Sequence, residues 1–116
     1  MAGFNVGSDR VEARMWCKFK GDGVHSIYDS YNVSSIGDLS SGGMTLNFTV
    51  NMADNNYSWS GVSHYGGAQN DASTIEEYDN GTSSTFLKIQ NMRCLNDGTQ
   101  FEGEDSEFTS CIIHGN

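Results

Sequence analysis

The sequence predicts an all-β protein, one domain built as an antiparallel β-sandwich or a jelly-roll-like relative of it. Three observations carry that expectation. Met44, Leu46, Phe48 and Val50 alternate with Thr45, Asn47 and Thr49, the two-residue period of a half-buried strand. Turn-type clusters of Gly, Ser, Asn and Asp recur about every eight to twelve residues, as they do between the strands of sandwiches and barrels. No apolar stripe of 3.6-residue period runs along the chain, and with 116 residues there is room for one core only.

Taken in order, residues 1–10 (MAGFNVGSDR) are expected to be an N-terminal arm able to dock, with Phe4 and Val6 between glycines, and residues 11–116 the domain. Val11 to Phe19 alternates, which puts Val11, Ala13, Met15, Cys17 and Phe19 on one face. Trp16 falls on the other, among Glu12, Arg14 and Lys18, where it suits an edge or a subunit contact. Further strands are expected over Val24 to Asp29, Tyr31 to Ile36, Tyr57 to His64, Thr74 to Tyr78, Thr85 to Arg93 and Phe108 to His114. Turns are expected over Lys20 to Gly23, Gly37 to Gly43, Ala53 to Asn56, Tyr65 to Ala72, Asp79 to Ser83 and Asn96 to Ser106. Only Ala72 to Tyr78, with Ser73 three residues before Glu76, hints at a capped helix.

The composition excludes several functions. A formal charge of −9 with six Lys plus Arg speaks against a phosphate backbone or an anionic membrane as partner. No run approaches the roughly 20 apolar residues of a membrane span, and the first ten residues lack the basic start and apolar run of a secretory signal. An apolar content of 36% is thin for a domain standing alone, so oligomerisation or docking is expected.

Catalytic and metal-binding patterns are weak. Cys17, Cys94 and Cys111 cannot all pair within one chain, show no CxxC, and read as reduced, partly buried strand residues. Asp97, Glu102, Glu104, Asp105 and Glu107 gather oxygen atoms of the kind calcium takes. Their spacing is not that of a helix-flanked calcium loop, and a solvated acidic loop is the default. Glu76 and Glu77, as strand neighbours, point to opposite faces and cannot flank a glycosidic bond. His25, His64 and His114 lie far apart, the string Gly61 to Gly66 is not a nucleophile elbow, and no phosphate loop is present. No cofactor and no enzymatic activity are expected. The sequons at Asn32, Asn47, Asn56 and Asn80 are of the number that chance gives in a chain so rich in Asn, Ser and Thr.

The aromatic residues Trp16, Tyr28, Tyr31, Tyr57, Trp59 and Tyr65 are numerous beside few aliphatic ones, and most are expected to fill the core. Phe4, Trp16, Trp59 and Tyr65 are the candidates for an interface, because rings anchor protein contacts and stack on sugars.

One longer pattern stands out: Trp16 and Phe19, then Gly21 and Gly23, then Ser30-Tyr31-Asn32-Val33-Ser34-Ser35-Ile36, then Asn47-Phe48-Thr49, Met52-Ala53-Asp54 and Asn56-Tyr57. It resembles a small β domain of structural and tail-fibre proteins of tailed bacteriophages, notably marine and cyanobacterial ones, and Ile112 to Asn116 is similar to that family's closing strand. The resemblance implies a virion protein made in the bacterial host cytoplasm, a homo-oligomer, by expectation a trimer, with no enzymatic activity. Its implied partners are capsid or tail proteins. A capsid-decorating or tail-accessory protein is expected over a whole fibre, which would need a shaft. The alternative is a fibre tip or adhesin domain that binds host surface glycan.

Overall fold

The computed structural model describes residues 3–6, 9–21, 24–64, 72–94, 101–103 and 106–114. They form strands β1 (Gly3–Val6), β2 (Asp9–Lys20), β3 (Ser26–Tyr31), β4 (Val33–Ser40), β5 (Gly43–Phe48), β6 (Ser58–His64), β7 (Ala72–Thr82), β8 (Phe86–Cys94), β9 (Phe101–Gly103) and β10 (Phe108–His114). All pairing is antiparallel, and the strands make two sheets, a β-sandwich as the sequence predicts.

In the first sheet β10 lies between β2 and β6. Residues 16–19 of β2 pair with β10 and with β3 at once, so β3 holds the opposite side of β2. The start of β2 pairs with β1, Phe4 opposite Val11. Residues 3–6 of the expected arm are therefore folded back on the domain as a short hairpin strand. The second sheet has the order β4, β5, β8, β7, with β9 added to the last residues of β8.

The core follows from alternation. Met15, Cys17 and Phe19 from β2, Cys111 and Ile113 from β10, Met44, Leu46 and Phe48 from β5, and Leu87 and Ile89 from β8 are buried between the sheets. Every second residue of these strands points inward, and each buried side chain of this size is worth roughly 1.5–3 kcal/mol. Val33, Ile36, Trp59 and Ile75 pack against this cluster from the edges. At one end three polar side chains are buried together. The Asn91 amide donates to Ser106 Oγ at 2.8 Å and to Thr109 Oγ1 at 3.1 Å, and the two hydroxyls lie 2.6 Å apart. Gly21 N–H donates to the Ser106 carbonyl, and a Cβ at Gly21 would meet Ser106 Oγ at 2.9 Å. No larger residue fits that approach.

Two corners carry the chain between sheets. Asn32, between β3 and β4, takes a left-handed φ of 61°. Its side chain accepts Val50 N–H at 2.6 Å and donates to the carbonyls of Val50 at 2.9 Å and Arg14 at 3.2 Å. Asparagine tolerates that backbone better than other side chains, and here its amide also ties three segments together. At the second corner Met52 and Tyr57 close the core between β5 and β6. Tyr57 Oη lies 3.0 Å from the carbonyls of Ser83 and Phe86 and accepts Ser83 N–H at 3.2 Å.

Three expectations about turns need correction. Gly37 to Ser40 is strand, not turn, and only Ser41 and Gly42 turn the chain, Gly42 with φ 74°. The Ser-rich segment is held by its pairing with β5 rather than by its own burial. Asp79 and Asn80 have the left-handed φ values of a turn, 45° and 54°, yet they make a four-residue excursion inside β7, between the pairs Glu77–Ile89 and Thr82–Leu87. The stretch 96–106 contains the short strand β9. Ala72 to Tyr78 is strand rather than helix.

Candidate binding face on the outer side of the first sheet

Alternation along β2, β10 and β6 turns a second set of side chains outward, and the strand registers bring them together. Trp16 stands opposite Tyr31 on β3 and Ile112 on β10, and Ile112 stands opposite Ser60 on β6. In the next row Lys18 faces Asp29 and Ser110, and Ser110 faces Val62. Trp16, Lys18, Ser60, Val62, Ser110 and Ile112 line a shallow depression of about 430 Å³ over Cys17, Gly61 and Cys111. Val62 keeps 61% of its surface exposed and Tyr31 53%.

Basic residues are concentrated on β2. Four of the six basic residues, Arg10, Arg14, Lys18 and Lys20, lie on β2 in a chain of net charge −9. Lys18 Nζ sits 4.9 Å from the centroid of the Phe108 ring, a cation-π contact, and Phe108 stacks on His64 with centroids 5.2 Å apart. His64 Nε2 is 3.3 Å from Glu107 Oε2, both groups well exposed, an arrangement that contributes little to stability. A second depression, about 360 Å³, lies beyond Tyr31 at the Asn32 corner and is lined by Arg14, Thr49, Val50, Asn51 and Met52 as well. Trp16 and Tyr31 thus stand side by side between two hollows, with a cation at each end.

Rings, aliphatic side chains and cations on a rigid sheet are binding groups. The groups of bond-making chemistry do not converge here. His64 and His114 stand at opposite ends of the β6–β10 pair, opposite Phe108 and Ser58. Glu76 is exposed opposite Gln90, while Glu77 Oε1 accepts Thr82 N–H at 3.1 Å. Among the described residues no three His, Cys, Asp or Glu come together as metal ligands, and no helix is long and apolar enough to cross a membrane. Of the acidic cluster weighed for calcium, Glu107 faces His64, while Asp97, Glu104 and Asp105 lie outside the described residues.

None of the three cysteines forms a disulfide. Cys17 and Cys111 are buried directly opposite one another on β2 and β10. Burial, aided by the charge of Asp29, pushes the Cys17 thiol from an ordinary 9.0 up to about 12. Burial first, and Cys17 second, push Cys111 up as well. Two of the sequons have structural work: Asn32 makes the corner, and the Asn47 amide donates to Ser35 Oγ at 3.0 Å.

Of the four interface candidates, Trp16 is on the outer face, and Trp59 is turned inward against the core from β6. Phe4 is on β1 opposite Val11, and Tyr65 lies outside the described residues. Ile112, Val62 and Lys18 are functional candidates that residue type alone does not mark. Their signal was alternation, but the register that joins them is not readable within one strand. No protein-family model, curated protein or solved structure matches the chain.

Proposed function

We propose that the chain is a surface-binding structural module of a tailed-bacteriophage particle, a capsid-decorating or tail-accessory protein that acts by protein–protein contact and self-association. The single observation that carries a binding role is the outer face of the first sheet: Val62 exposed and Trp16 and Ile112 half-buried around one depression beside Lys18, in a chain otherwise strongly acidic. An apolar patch with one cation at its rim fits a protein surface that brings an acidic side chain beside an apolar centre. The particle assignment rests on the resemblance, whose Asn32 occupies the corner between the sheets and whose Tyr57 closes the core. Trimeric assembly is the state that resemblance implies.

The test is immunogold labelling of intact particles of the encoding virus with an antibody against the folded chain. Label at a regular position on head or tail supports the reading, and particles without label end it. A second reading, a domain that binds host surface glycan, is favoured by one observation: the Tyr31 and Trp16 rings lie between two hollows with Arg14 and Asn51 close by. Rings stack on sugar faces while amide and guanidinium groups take the hydroxyls. A glycan array on which wild type and Trp16→Ala behave alike removes it.

A further inference from the structure

Among the described residues six strands pair with one neighbour only; β1 and β9 are four and three residues long, and the other four differ in a way that matters for self-pairing. An edge presents unpaired N–H and C=O groups, and proteins blunt such edges with charges, bulges or proline. The edge of β4 has two register shifts with Asp38 between them. That of β7 carries Glu76 and the four-residue excursion after Glu77. In β3 the register shifts around Tyr28, next to Asp29. Strand β6, SWSGVSH, runs through seven unbroken pairs with β10 and has no acidic residue, no Lys or Arg and no proline. Among the described residues β10 is the only strand it pairs with.

The hydrogen-bonding direction of β6 is fixed at its end. The His64 carbonyl accepts Glu107 N–H at 2.9 Å and so faces β10. By the period of two, Ser58, Ser60 and Val62 also face β10, and Trp59, Gly61 and Ser63 turn their backbone groups away. The Ser63 carbonyl agrees, since it accepts the Ser73 hydroxyl of β7 at 3.2 Å and keeps a second lone pair.

We propose that β6 is a self-pairing edge, and that two copies of this chain join by antiparallel β6–β6 pairing about a twofold axis at Gly61. Residues 59, 61 and 63 then meet 63, 61 and 59 of the second copy, which offers up to about six backbone hydrogen bonds. The register is self-complementary, as a twofold contact requires. It is also where two chains of charge −9 can meet with neither bringing a charge to the seam. Val62 of each copy comes to lie beside Ser60 of the other, in line with Ile112 and Trp16, so the most exposed apolar side chain of the depression gains neighbours. This inference does not depend on the virus-particle reading, and the cationic end of the outer face stays open in the pair.

Light scattering and sedimentation equilibrium from about 1 to 200 µM, the range of ordinary reversible dimers, test it. The expected result is a dimer or, where the threefold contact implied by the resemblance also forms, a hexamer. Val62→Lys, a change on an exposed side chain, should raise the dissociation constant at least about tenfold by setting like charges across the seam. Thr74→Lys on β7 should leave it unchanged, and circular dichroism should show both variants folded. About 0.5 M salt should leave a neutral seam intact, whereas a contact through Lys18 would weaken. A wild-type monomer throughout the range, an odd-numbered assembly alone, salt-induced dissociation, or a Val62→Lys protein that assembles like wild type overturns the proposal. Loss of particle labelling alone does not touch it.

Discussion

Replacing Asn32 tests whether the corner between the sheets is held by its side chain, by its backbone, or by both. The Asn32 amide makes contacts of 2.6, 2.9 and 3.2 Å to Val50 and Arg14. A net hydrogen bond is worth about 1 kcal/mol, so Asn32→Gly, which keeps the freedom to hold φ at 61°, should cost roughly 2–3 kcal/mol. Asn32→Ala loses the same bonds and adds a left-handed backbone cost of about 1 kcal/mol, for roughly 3–4 in all. Asn32→Asp keeps an acceptor for Val50 N–H but sets a carboxylate oxygen against two carbonyls, and should be at least as costly as glycine. Against a total stability of about 5–15 kcal/mol these are large fractions, equivalent to some 4 °C in Tm per kcal/mol for a domain of this size. Urea titrations of the four proteins, with slopes compared, measure them. Asn32→Gly within about 0.5 kcal/mol of wild type would refute the hydrogen-bond account, and Asn32→Ala no worse than Asn32→Gly would refute the backbone account.

Four further outcomes are expected. Cys94, partly exposed, should react with a thiol probe in the native protein, while Cys17 and Cys111 react only on unfolding, which quantified labelling in and out of urea would show. Because the folded chain keeps the Cys17 proton up to about pH 12 and the unfolded chain releases it near 9.0, the unfolded state binds fewer protons in that window. Stability should therefore fall as pH rises from about 9 toward 12, and Cys17→Ala should reduce that slope in denaturant titrations. Tyr57→Phe should lose about 1–3 kcal/mol by removing the hydroxyl shared by Ser83 and Phe86, measured by urea unfolding. Lys18→Glu should weaken particle binding at low salt while leaving the melting temperature within a degree or two, since Lys18 is exposed and its ring contact is a surface one; co-sedimentation with particles checks this.

Much of the sandwich was legible in the chain because its central strands bury one face. Met15, Cys17 and Phe19, and Met44, Leu46 and Phe48, are buried as their alternation implies. Alternation misled where a strand ended: Val50, in phase with β5, is 69% exposed, because the chain leaves the sheet at Thr49 to meet Asn32. Edge strands were harder to read. Gly37 to Ser40 has the composition of a turn and becomes strand only through β5, and β9 is three residues fixed by β8. The candidate face was half visible. Trp16 among charges stood out, but Ile112 and Val62 acquire meaning only when three strands are placed side by side, which is long-range information. Trp59 shows the converse, a residue of interface type that the phase of β6 turns inward.

The cluster of Asn91, Ser106 and Thr109 bears on how the chain finds its alignment. Sliding β10 by two residues along β2 would keep an apolar row facing inward and cost the hydrophobic core little in principle. It would also carry Thr109 away from the Asn91 amide and strand donors and acceptors in a dry interior, at about 1–3 kcal/mol for each. Grease is indifferent to such a slip and polarity is not, so three small side chains that resemble surface residues act as the index mark from which the closing strand is counted.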